Sequence, residues 1–177
     1  MAKWLSNTRM FKVHRHFLEI KTKDANQVNL NLPKKISISR DKLRDFNINK
    51  FFYKQIGIDH YWRDRLIWSD RTWSKYALNK NLETWIMKLD KDFVGFYEKE
   101  YHPNKNEIEL INMGILKDYQ GKKFGSFLLE HFIKESLRLK PKRLWVHTCS
   151  LDHKHALPNY KSKGFKVFKE EIIDFSP

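Results

Sequence analysis

Hydrophobic and polar positions change rhythm several times along the chain. Residues 10–22 mix β-branched and aromatic side chains with polar ones and predict a strand. A polar connection containing Pro33 leads to a short alternating stretch around Ile36 and Ile38. From residue 41 to about residue 55 the period turns helical, with Leu43, Phe46 and Ile48 ahead of Phe51 and Phe52. Gly57 is placed to end that helix as a C-terminal cap. Ser69 or Asp70 can cap a second, short helix running to about Leu78.

The middle of the chain reads as strands. Residues 83–89 and 92–101 flank Asp90-Lys91, a tight hairpin turn, and 106–116 is a third run rich in Ile and Leu. The period then becomes helical over residues 122–139, with Phe124, Phe127, Leu128, Phe132 and Leu139 on a broad apolar face, and Pro141 stops it. A strand at 142–149, a short helix at 153–163 and a last strand at 165–169 complete the pattern. Strands first and then β-α-β-α-β predict an α/β (α+β) sheet with helices packed on its faces. No repeat, low-complexity tract or linker divides residues 1–177, so one domain is expected.

Composition narrows the class. A hydrophobic fraction of 41% supports a real core, and no apolar run approaches the roughly 20 residues of a spanning helix. Residues 1–5 carry no apolar signal stretch, and the single cysteine, Cys149, leaves no internal disulfide framework, so a cytoplasmic setting without membrane attachment is expected. The net charge of +14 would attract nucleic acid, acidic lipid or a phosphate-rich ligand. There is no zinc-finger spacing and no block of five like charges, so nucleic acid is not the expected partner.

Candidate chemistry concentrates where the third strand meets the long helix, in Gly114-Ile115-Leu116-Lys117-Asp118-Tyr119-Gln120-Gly121-Lys122-Lys123-Phe124-Gly125-Ser126. A strand, a polar turn with two glycines and a helix start are what phosphate binding needs. Unpaired N–H groups and the helix dipole favour an anion there, and glycine lets backbone approach it. Residues 117–143 hold eight Lys or Arg against three Asp or Glu, which adds attraction. The loop matches neither the Walker motif nor the dinucleotide fingerprint, so a plain βα turn with solvated lysines stays open on this ground alone.

Residues 115–129 resemble the coenzyme-A signature of the GNAT superfamily of N-acetyltransferases, Gln/Arg-x-x-Gly-x-Gly/Ala. Gln120 opens the match and Gly125 closes it, while Lys123 stands at the family's first glycine. A lysine there is tolerable if φ stays negative, and it would add a cation beside the pyrophosphate. The later block, His153-Lys154-His155-Ala156-Leu157-Pro158-Asn159-Tyr160-Lys161-Ser162-Lys163-Gly164-Phe165, resembles Asn-x-x-Ala-x-x-x-Tyr-x-x-x-Gly-Phe, with His153 in place of Asn. The resemblance covers about residues 83–170.

It implies a mixed, mostly antiparallel sheet with helices on both faces, splayed at a cofactor cleft between the runs ending at Ile115 and Thr148. Acetyl-CoA would be the acyl donor, its pantetheine pairing with the backbone of Met113, Gly114 and Ile115. Gln120, Gly121, Lys122, Lys123, Phe124, Gly125 and Ser126 would cradle its pyrophosphate. His153 would hydrogen-bond the pantetheine or Tyr160. Transfer to a primary amine would be direct, with Tyr160 protonating the thiolate and backbone N–H near Ile115 stabilising the oxyanion, which leaves Cys149 as a small buried hydrophobe.

The general base has two candidates on strands, Glu109 and Glu98, with water as a relay. Positions 109 and 115 share a face if no bulge intervenes. His147, Cys149, Asp152, His153 and His155 are metal-ligand types close together, but they divide between two elements and no second cluster completes a site, so no metal is expected. Asp152 is placed to cap the following helix. The run His60-Tyr61-Trp62-Arg63-Asp64-Arg65-Leu66-Ile67-Trp68 could wall an acceptor pocket, stack bases, or pack internally with an Asp64–Arg ion pair. The acceptor is expected to be a small-molecule amine, with a protein or peptide amine, or an inactive fold that binds nucleic acid, as alternatives. A monomer or homodimer is expected.

Overall fold

The computed structural model describes residues 10–25 and 30–176; residues 1–5, read above for a signal stretch, lie outside them. Along the described residues run β1 (Phe11–Lys21), β2 (Ile36–Arg40), α1 (Phe46–Gly57), α2 (Asp70–Ala77), β3 (Leu82–Leu89), β4 (Asp92–His102) and β5 (Glu107–Ile115). There follow α3 (Phe124–Leu137), β6 (Arg143–Cys149), α4 (Ala156–Ser162) and β7 (Lys166–Phe175). The seven strands make one sheet in the order β2-β3-β4-β5-β6-β1-β7. Every pair is antiparallel except β5 with β6.

Each face has its own apolar cluster. Under α3 and α4 lie Leu18, Tyr97, Leu110, Leu128, Phe132, Leu144, Val146 and Phe165. On the other face Phe52 and Ile56 of α1 pack on Ile86 and Phe96, with the Phe52 and Phe96 rings stacked 4.7 Å apart. Helices thus cover both faces, as the strand–helix order predicted.

Local departures have local causes. The first helix begins at Phe46 rather than near 41. Asp41 spends its carboxylate on the backbone N–H of Leu43 and Asp45, and Asp45 then caps the helix by accepting from Asn47 N at 2.9 Å. Gly57 is helical rather than a left-handed cap, and the reversal falls at Tyr61, with φ of 57°. Gly57 instead makes room: an added Cβ would stand 2.5 Å from Trp62 Cβ. Ser69 caps α2, accepting from Thr72 N. The last strand runs to Phe175 rather than 169, because β1 pairs with it out to Phe11–Phe175.

Candidate active site

The parallel ladder between β5 and β6 stops early. It runs from Glu107 opposite Arg143 to Leu110 opposite Val146 and no further. Yet β5 stays paired to β4 as far as Ile115, and β6 stays paired to β1 as far as Cys149. Residues 111–115 and 147–149 therefore form two walls of a wedge whose inner edges carry unpaired backbone. Leu116 N donates to Val94 O at 2.9 Å, so by strand alternation the N–H groups of Ile115 and Met113 point away from β4 and into the wedge.

A bulge shapes the β5 wall. Glu98 faces Asn112 while Lys99 faces Leu110, leaving Ile111 as the extra residue. The bulge reverses parity, so Glu109 and Ile115 lie on opposite faces, contrary to the unbulged expectation. It also swings Asn112 onto Glu98, where Asn112 Nδ2 donates at 2.7 Å.

Glu98 is fully buried and fully engaged. Asn49 donates to Oε1 at 2.6 Å, while Arg65 at 3.1 Å, Tyr76 at 2.7 Å and Asn112 donate to Oε2. Four donors fill the lone pairs of a carboxylate, leaving none for a substrate proton. The guanidinium of Arg65 also lies against the rings of Tyr53, Trp68 and Tyr76. Arg65 thus pairs with Glu98 rather than Asp64, and much of the aromatic-basic run is spent inside the fold.

Glu109 bonds His102 Nε2 at 3.0 Å; burial pushes its pKa up, against the pull of His102. It sits below the last paired rung, and six residues of strand separate it from Ile115, roughly 20 Å. His147 is on the wedge itself and keeps part of its surface in solvent; the protein packed around its ring, and then the charge of Arg15, lower its pKa. Sequence reading treated His147 only as part of a metal cluster. Its neighbour Arg15 comes from a strand more than 130 residues away, and only the register of β1 on β6 brings them together.

The βα loop fits an anion. Gly121, with φ of 77°, has nothing within 4 Å of an added Cβ, and Gln120 Nε2 ties the loop back to Ile115 O at 3.2 Å. Helix α3 starts at Phe124, so Lys122 and Lys123 precede it, and Lys123 is its N-cap in the left-handed region, with φ of 62°, so the condition of a negative φ is not met. A Cβ on Gly125 would meet only ordinary contacts, Ile115 Cγ1 at 3.9 Å and Asn159 Nδ2 at 4.0 Å, so tight packing is not what calls for glycine here. Asn159 Nδ2 donates to Gly125 O, joining α4 to the first turn of α3.

Tyr160 of α4 is buried, and burial, with the charge of Asp152 behind it, pushes its phenol well above the ordinary range. Asp152 caps no helix. It holds the end of β6, accepting from Thr148 Oγ1 at 2.7 Å and Cys149 N at 2.9 Å. His153 is exposed, and its Nδ1 accepts from His155 N at 3.2 Å. A 3-10 turn at Ile58–His60 reaches across the wedge: His60 Nδ1 lies 3.3 Å from Leu151 O, and Lys117 pairs with Asp59 at 3.4 Å.

A seven-stranded mixed sheet parted between two parallel strands, with a helix start beside the gap, is a GNAT-like arrangement. The model of the acetyltransferase (GNAT) family matches residues 45–165, well over half the chain, and the protein belongs to that family. Comparison with curated proteins found no match. Among solved structures, it resembles a functionally unknown conserved protein from Staphylococcus epidermidis at 13% identity and a TM-score of 0.66, covering 94% of this chain and 62% of that one. It thus spans less than two thirds of that relative. It is also similar to an aminoglycoside acetyltransferase from an uncultured soil metagenomic sample, at 14% identity and 0.63, covering 76% and 90%. A third likeness is to the ribosomal-protein-S18-alanine N-acetyltransferase of Escherichia coli, at 18% and 0.60, covering 80% and 93%. At these identities the likeness concerns fold. No helix among the described residues is long and apolar enough to cross a membrane.

Proposed function

We propose that the chain is a single-domain, acetyl-CoA-dependent N-acetyltransferase that moves an acetyl group directly to a primary amine of a small molecule. The observation that carries this reading is the wedge between β5 and β6, with an open helix start and a buried phenol on the same side of the sheet. Bound acetyl-CoA supplies the thioester carbonyl that a neutral amine attacks. Met113, Gly114 and Ile115 offer backbone to its pantetheine, and residues 120–126 offer N–H groups and the cations Lys122 and Lys123 to its pyrophosphate.

The N–H of Ile115, turned away from β4, serves as the donor to the charge developing on the carbonyl oxygen. Tyr160, held protonated, donates to the departing sulfur. His147 takes the proton of the amine, since it stands on the wedge and its neutral form is favoured. Glu98 and Glu109 act as positioning groups, the first by fixing α1, α2 and β5 around one carboxylate. The thiol of Cys149, pushed up by burial and by Asp152, stays protonated and takes no acetyl group.

Thermal melting with acetyl-CoA tests the reading. The midpoint should rise with cofactor, and rise less in high salt because charge supplies part of the affinity. A folded sample whose midpoint ignores millimolar acetyl-CoA overturns the proposal.

A further inference from the structure

The wedge has two mouths. One opens on the side of α3, α4 and Tyr160. The other lies on the α1 side, beneath the turn at Ile58–His60, where pairing sets Arg15 opposite Cys149 and Phe17 opposite His147. Arg15, His147 and Cys149 therefore share the face turned away from the core residues Leu18, Leu144 and Val146.

Arg15 is incompletely satisfied. Its carboxylate neighbour, Glu171, is 3.9 Å from Nη1, beyond hydrogen-bond reach, and Glu171 is itself held by Lys169 at 2.5 Å. Arg15 Nε is buried and has no hydrogen-bond partner among the described residues. The other acids around this mouth are engaged: Asp152 by Thr148 and Cys149 N, and Asp59 by Lys117 at 3.4 Å. The buried Nε is shielded from a ligand, but the partly exposed Nη end of the guanidinium has no acid within hydrogen-bond distance among the described residues, and an oxyanion would complete it there. Its charge is felt across the mouth, where it acts on both His147 and Cys149.

We infer that the amine acceptor carries an acidic oxygen group, and that Arg15 receives it at the α1-side mouth while the amine reaches into the wedge. The inference rests on reading the wedge as the transfer site. Arg15 then sets specificity, and an acceptor with further ammonium groups is repelled by it and by a chain of net charge +14.

Four two-carbon amines that differ only in the far group test this: β-alanine, taurine, ethanolamine and ethylenediamine. The native protein should acetylate β-alanine and taurine with kcat/KM about tenfold or more above ethanolamine, with ethylenediamine lowest. Arg15→Gln should bring the acidic-to-neutral ratio toward one, mainly through acceptor KM, while the KM for acetyl-CoA and the melting midpoint hold. Arg15→Lys should restore part of the ratio. A purely structural role for Arg15 would depress all four amines together and leave their ratio intact, and that result overturns the inference. So does an equal or reversed order in the native protein, or no turnover of any of the four by a protein that acetyl-CoA stabilises. Absence of that stabilisation overturns the underlying transferase reading, and this inference with it.

Discussion

The face of the sheet that carries α1 and α2 is packed and finished by those helices over β3, β4 and β5. Over the end of β6 and the first half of β1, by contrast, only the turn at Ile58–His60 crosses it among the described residues. Two arginines mark the contrast. Arg65 has its side chain 14% exposed, a carboxylate at 3.1 Å and three aromatic rings around it. Arg15 is 35% exposed, keeps 3.9 Å from its acid and leaves Nε unpartnered among the described residues. A donor whose acceptors all lie within the fold contributes to stability, and removing it leaves a buried charge behind. A donor left short of acceptors contributes little to folding and is available to a ligand. Mutations should therefore separate by readout, stability on the finished side and turnover at the wedge.

The largest expected effect lies at the wedge. Tyr160→Phe keeps the ring in its core site beside Phe165 and removes only the proton donor. Turnover with a validated acceptor at saturation should fall by a factor of roughly 10²–10⁴, the scale of a positioned acid. The melting midpoint and acetyl-CoA affinity should hardly move. Undiminished turnover in the chemical step would remove Tyr160 as the acid.

On the finished side, Arg65→Met should cost about 3–5 kcal/mol of folding free energy, because Glu98 then lies buried without its countercharge. Denaturant titration reads this directly. Adding Glu98→Gln should recover a good part of the loss, since neither partner is then charged. If Arg65→Met melted like the native protein, the four-donor network would not be what fixes α1 and α2 to the sheet.

Local pattern made much of this legible. The strand–helix order from β3 to α4, the βα loop at Gly121 and the Tyr160 block are each carried by residues that are neighbours in sequence. What stayed hidden depends on partners far apart in sequence. Nothing near Phe11–Lys21 says that it lies between β6 and β7, so Arg15 carried no functional signal. The bulge at Ile111 adds one residue to an otherwise regular run, and that residue reverses which side Glu109 faces. Glu98 reads as an ordinary strand acid until Asn49, Arg65, Tyr76 and Asn112 converge on it. Lys123 is the reverse case: its side chain, legible in sequence, suits an anion site, and its strain lies in a backbone angle that sequence does not show.

That cost gives the smallest effect. A non-glycine residue in the left-handed region is strained by roughly 1–2 kcal/mol, and Lys123 bears this at the start of α3, with φ of 62°. Lys123→Gly relieves the strain but gives the unfolded chain more freedom, so the net gain should be near 0.5–1 kcal/mol, roughly. For a chain of this size that is about 1–4 °C in the melting midpoint. The same change removes a cation beside the expected pyrophosphate, so acetyl-CoA should bind more weakly and with a shallower salt dependence. Lys123→Ala separates the two effects, since alanine keeps the strained φ and drops the charge. It should lose the same affinity without any rise in the midpoint. A midpoint that rises equally in both variants would mean that lysine charge, and not backbone conformation, is what burdens the start of this helix.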